Sequence, residues 1–131
     1  MQRNVGVWID HKQALVVQLN NGEKQIQVIE SQLAPRTRLV RRSVGDIDLP
    51  NELHTNQRYE KHLKLYLDRV MEALQSADSI LLMGPGEAKI ELQKTLQKSK
   101  ALAERIAAVE TVGKLTQRQI AAKVSDFFTR Q

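Results

Sequence analysis

Three sets of residues in this 131-residue chain have the types and spacing to do chemistry. The first is Gly84-Pro85-Gly86, which ends the apolar run "SILLMG" and precedes a charged segment of helical character. Two glycines can adopt unusual backbone conformations, the proline stiffens the corner, and free N–H groups at a helix start can face an anion. Lys89, one turn further on, can add a full charge. Glu87 argues the other way, because a carboxylate in the first turn complements the helix dipole without any ligand. The pattern is neither a P-loop nor a dinucleotide fingerprint. Gly84 and Gly86 therefore read as an anion-binding turn or as a structural corner.

The second set is Asp10-His11 at the end of the first apolar run, with Glu87 and Glu110 at the ends of later ones. A two-metal nuclease needs several carboxylates converging on one point, so that paired cations can clamp a phosphate. The alternative is a surface turn between two strands. His11, His54 and His62 are the only histidines and none are paired four residues apart, as two ligands on one helical face would be. There is no cysteine, which removes disulfides, thiolate zinc sites and cysteine nucleophiles together. No Ser-His-Asp pattern or nucleophile elbow is present. The residues assign no catalytic group, metal ligand or cofactor.

The third set is basic. Net charge is +5, and no acidic residue lies between Glu30 and Asp46, where Arg36, Arg38, Arg41 and Arg42 cluster. On an extended strand Arg36, Arg38 and Arg42 share one side, a ribbon of guanidinium groups suited to phosphates. Arg58, Lys61 and Lys64 carry the positive character onto the next segment. Arginines on an edge strand also prevent edge-to-edge pairing, so a purely protective role stays open. The acid-free window favours a nucleic-acid partner.

These residues must be positioned by the elements between them. "VGVWID", "ALVVQL" and "KQIQVIES" read as three strands, the last two separated by the turn signal Asn20-Asn21-Gly22. In the third, Ile26 and Val28 alternate with Gln25 and Gln27, as in a half-exposed strand. "PRTRLVRRSV" extends a further edge strand, and "GDIDLPNELHTNQ" reads as a surface loop. From Arg58, the residues Tyr59, His62, Leu63, Tyr66, Leu67, Val70, Met71 and Leu74 recur at helical spacing. A strand at "SILLMG", a helix from about Glu87 to Lys98 with Ala88, Leu92, Thr95 and Leu96 inward, and a strand at "RIAAVETV" follow. The Ala-rich "KALAERIAA" can equally prolong that helix. Thr116 with Gln119 forms a capping box for a final helix with Ile120, Ala121, Val124, Phe127 and Phe128 on its apolar stripe. The order predicts an α/β fold: a three-layer mixed β-sheet of ribonuclease H-like type, antiparallel meander first, then alternating helix and strand. One domain over 1–131 is expected, without signal peptide or membrane span, which makes the cytoplasm the default location.

"VGVWIDHKQALVVQL" and "SILLMGPGEAKIELQKTL" resemble the middle domain of archaeal and eukaryotic peptide-chain release factors, the ribosome-rescue protein Pelota and bacterial stand-alone relatives. The resemblance maps the family's Asp-containing turn to Asp10, and its Gly-Pro-Gly turn and following lysine to Gly84, Pro85, Gly86 and Lys89. "VETVGKLTQRQIAAKV" resembles the closing strand and helix of the bacterial relatives. It implies a ribonuclease H-like mixed sheet and a role at the ribosome. Release factors carry a Gly-Gly-Gln tripeptide before the long helix, whereas "LPNELHTNQRYEKHL" keeps Gln57 but has no glycine pair. Ester hydrolysis is therefore not carried over, and no counterpart of the decoding domain is seen. The expectation is a non-catalytic, translation-associated protein that binds ribosomal or transfer RNA through a basic face. A metal-dependent nuclease using Asp10, Glu87 and Glu110, a residual peptidyl-tRNA hydrolase using Gln57, and a protein-interaction module are the alternatives.

Overall fold

A strand apolar on both faces must lie inside a sheet, and "NVGVWI" is such a strand. In the computed structural model, which describes residues 3–20, 23–31 and 49–129 (49–57 by backbone alone), it forms β1, Asn4–Ile9. Val5, Val7 and Ile9 are buried towards one side of the sheet, and Trp8 towards the other. β2 (Gln13–Asn20) and β3 (Glu23–Glu30) continue as an antiparallel meander, pairing Val7 with Val16 and Ala14 with Ile29. β4 (Ser79–Gly84) returns beside β1 in parallel, and β5 (Ile106–Thr111) lies parallel to β4. The spatial order is β3-β2-β1-β4-β5, an open mixed sheet of the kind the element order predicts.

The crossovers set the layers. α1 (Leu49–Ala73), α2 (Ala88–Leu96) and the short α3 (Lys100–Ala103) connect β3, β4 and β5. Tyr66 and Val70 of α1, Leu74 just after it, Leu92 and Leu96 of α2 and Leu102 of α3 close over Val7, Ile9, Ile80 and Leu82. Among the described helices α4 (Gln117–Thr129) covers the opposite face, with Ile120, Ala121 and Val124 against Trp8, Leu15, Val17, Leu81 and Met83. Its start is the expected capping box: the Gln119 amide N–H donates to Thr116 Oγ1 at 3.1 Å, and the Thr116 N–H donates to Gln119 Oε1 at 3.0 Å. Such reciprocal caps contribute about 1 kcal/mol. Phe127 and Phe128 complete the stripe edge to face, 5.0 Å between ring centres.

Two expectations are corrected. Residues 49–57 belong to the helix and not to a loop, since α1 starts at Leu49. Pro50 reads as a breaker, but in a first turn its missing N–H has no intrahelical acceptor to lose and its φ is already helical. The other correction concerns β3. Ile26 and Val28 are 41% and 42% exposed, and its core residue is Ile29. Ile26 and Val28 pair with Val17 and Leu15 on the side that α4 covers, but α4 packs chiefly on β1 and β2.

Two glycines are explained by close approach. A Cβ on Gly6 would lie 2.2 Å from Val124 Cγ2, so α4 rests directly on the β1 backbone. A Cβ on Gly84 would lie 2.3 Å from the Ile9 carbonyl oxygen, which is backbone and cannot move aside cheaply. Nothing lies within 4 Å of a Cβ built on Gly86. Gly84→Ala is therefore expected to lower stability by about 2–3 kcal/mol through overpacking. Gly86→Ala should stay within about 0.5 kcal/mol of wild type, as substitutions in open space do. Urea unfolding of the two variants side by side checks the contrast.

Candidate nucleic-acid interface

β1 and β4 are parallel, so both deliver their chain ends to the same edge of the sheet, where open α/β sheets place their ligands. The β1 end is the turn Asp10–Lys12. Asp10 Oδ1 accepts from the backbone N–H groups of Lys12 and Gln13, both at 2.8 Å, and the Asp10 N–H donates to the Gln13 carbonyl at 3.0 Å. This is the Asx turn that aspartate favours, because its short carboxylate reaches the amides two and three residues on. The turn is held from three sides. Tyr66 Oη donates to the Asp10 carbonyl at 2.9 Å, and Ser31 Oγ donates to the His11 carbonyl at 2.5 Å. His11 Nε2 lies 2.6 Å from Glu91 Oε1 on α2.

Asp10 thus fixes a corner, with one carboxylate oxygen committed to backbone amides. Glu87 stands exposed at the start of α2 and Glu110 half-buried on β5. Among the described residues no three His, Cys, Asp or Glu are grouped to hold a metal ion. Neither Glu91 nor Ser31 carries a signal in the sequence, and Tyr66 appears there only as part of a helical stripe. The His11–Glu91 contact spans 80 positions, and no local spacing announces it.

The Gly-Pro-Gly turn is the neighbouring corner. Gly84 is buried against Ile9, while Pro85, Gly86 and Glu87 are exposed. Lys89 is only 7% exposed, and its Nζ donates to the Gly86 carbonyl at 2.7 Å. The lysine braces the turn whose amides it was expected to accompany towards an anion.

The basic residues fall in two groups. Arg36, Arg38, Arg41 and Arg42 lie outside the described residues. Arg58, Lys61 and Lys64 stand exposed on α1, and His62 and Leu65 are exposed beside them. The side chains of His54 and Gln57, on the same helix, are not described. Arg69 further along donates from Nη2 to the Glu30 carbonyl at 2.8 Å, tying the helix to the end of β3. It also forms a wall common to two hollows between α1 and β3. One, about 720 Å³, is lined by residues 27–30 with Glu72 and Ala73; the other, about 360 Å³, by Ser31, His62 and Leu65.

With fold and surface described, comparison defines the class: an α/β mixed-sheet fold shared with translation factors. Pelota from Archaeoglobus fulgidus is similar over 99% of this chain, with a TM-score of 0.55 at 14% identity. The archaeal translation termination factor aRF1 is similar over 96%, with a TM-score of 0.53 at 13% identity. The chain spans 36% and 39% of the lengths of these two proteins. No protein-family model matches the sequence, and no curated protein matches it significantly. No helix among the described residues is long and apolar enough to cross a membrane.

Tyr66 offers a direct test of the turn. Its ring is fully buried, and burial first, then the Asp10 charge, push its hydroxyl far above the ordinary value of 10.0, with Arg69 opposing. The folded protein therefore keeps the phenol neutral while the unfolded chain ionises. The stability this supplies is complete below pH 10 and is lost as pH rises, by about 1.4 kcal/mol per unit for a single group. Tyr66→Phe, which loses one hydrogen bond, should be about 1 kcal/mol less stable at pH 7. Its deficit should shrink above pH 10 and then reverse, as read by urea unfolding between pH 7 and 11.

Proposed function

We propose that this chain is a non-catalytic, translation-associated module that binds ribosomal or transfer RNA through the exposed basic face of α1. The observation that carries the reading is the similarity of nearly the whole chain to a region of two translation factors, Pelota and aRF1. The charge supports it: +5 overall, with Arg58, Lys61 and Lys64 exposed on one helix. Arg36, Arg38, Arg41 and Arg42, outside the described residues, add phosphate contacts. Of the Gly-Pro-Gly corner only exposed Gly86 is left to face an anion, since Gly84 is buried and Lys89 is turned back onto the Gly86 carbonyl.

Each cation that meets a phosphate releases a counterion, so affinity falls with salt at a slope set by the number of contacts. Replacing Arg58, Lys61 and Lys64 together with alanine is expected to reduce the log–log salt slope on single-stranded RNA by about 2. Ribosome co-sedimentation across a potassium chloride series should give the same ordering. All three residues are exposed, so thermal stability should stay within about 0.5 kcal/mol of wild type. An association with ribosomes and RNA that does not respond to salt would sink the reading.

A further inference from the structure

We propose that the hollow lined by His62, Leu65, Arg69 and Ser31 receives one unstacked base of a single-stranded RNA, with Lys61 and Lys64 meeting the adjoining phosphates. The inference rests on the RNA-binding reading and names the form of RNA that this face takes.

Arg58, His62, Leu65 and Arg69 recur at steps of four, three and four residues, which places them along one side of α1. Leu65 is 53% exposed in the middle of that row, the most exposed large apolar residue among those described. A buried apolar stripe explains Tyr66, Val70 and Leu74, but it does not explain a leucine turned to solvent between charged neighbours. Beside it lies the hollow of about 360 Å³. That is at the small end of ligand pockets, which run from about 300 to 1,000 Å³. It has room for a base and its sugar.

The lining suits a flat, polarisable ring. Leu65 offers an apolar floor, and His62 and Arg69 offer planar groups on which bases stack. Arg69 is held in place by its bond to the Glu30 carbonyl, so less of its freedom is lost on binding. Over residues 58–65, which run up to the hollow, exposed Arg58, Lys61 and Lys64 stand against a single acid, Glu60, a positive stretch that complements a polyanion; Asp68 and Glu72 lie beyond it. A duplex keeps its bases stacked inside and cannot fill the hollow. The face therefore distinguishes single strands from duplexes.

The test uses a 12-nucleotide RNA carrying 2-aminopurine, single-stranded and as a duplex, with wild type, Leu65→Ala and His62→Ala. Both side chains are exposed, and circular dichroism and melting temperature confirm folding. The expected result is a change in 2-aminopurine emission on binding to wild type that is lost in Leu65→Ala. Single-strand affinity should fall roughly tenfold in each variant, within the range of one stacking contact, while the salt slope stays unchanged. Salt-dependent RNA binding that ignores both substitutions, or equal affinity for duplex and single strand, overturns the base pocket and leaves the basic face standing. Binding to neither RNA overturns both readings. Capture of polyglutamate lost in Leu65→Ala reassigns the hollow to an acidic protein and overturns the proposal.

Discussion

The Asx turn at Asp10 is the constraint on which the rest of the architecture depends. A single carboxylate oxygen takes two backbone amides and reverses the chain between β1 and β2. That reversal exposes the carbonyls of Asp10 and His11, which accept from Tyr66 and Ser31. Helix α1 is therefore fastened to the sheet at the same point where the meander turns back. The His11–Glu91 contact adds α2 to the junction, but its partners are 40% and 33% exposed. A polar contact this exposed contributes at most about 1 kcal/mol, so it positions more than it stabilises.

The two glycine contacts belong to the same design. At Gly84 the β4 strand comes so close to the Ile9 carbonyl that no side chain fits, which draws the Gly-Pro-Gly corner against the Asp10 turn. Gly6 does the equivalent on the opposite face, letting Val124 of α4 sit on bare backbone. With aromatics at 4%, the core is built from aliphatic side chains and needs such close approach to fill its volume. The consequence for function is a rigid sheet edge flanked by a long helix whose outer side is charged.

Much of this was legible in the residues. β1 and β4 declare themselves as continuous apolar runs, α4 by its capping box and stripe, and the core face of α1 from Tyr66 to Val70 by its period. What stayed hidden depended on distance. Glu91 meets His11 only because β1 and α2 converge in space, and no spacing rule couples positions so far apart. Lys89 looks like a free cation in sequence, because nothing local shows that its ammonium turns back to Gly86. The helical start at Leu49 was masked by proline and asparagine, which favour loops except in a first turn. Ile26 and Val28 obey the alternation of a covered strand, but the extent of α4 decides how far that cover reaches. Arg58, Lys61 and Lys64 fall on their helix as their spacing indicates, whereas exposed Leu65, next to Lys64, carried no signal until the buried side of α1 was known.

The early start of α1 has one more consequence, which is geometric. At about 1.5 Å per residue, its 25 residues extend roughly 37 Å, while a six-residue strand such as β1 spans only about 20 Å. The helix is nearly twice as long as the strand, and its hydrogen bond to the Asp10 turn falls at Tyr66, in its last third. Leu49 lies about 25 Å along the axis from Tyr66, and Gln57 about 13 Å. Tyr66 therefore joins the buried stretch of the helix to the Asp10 turn, at a distance from the helix start of more than half its length.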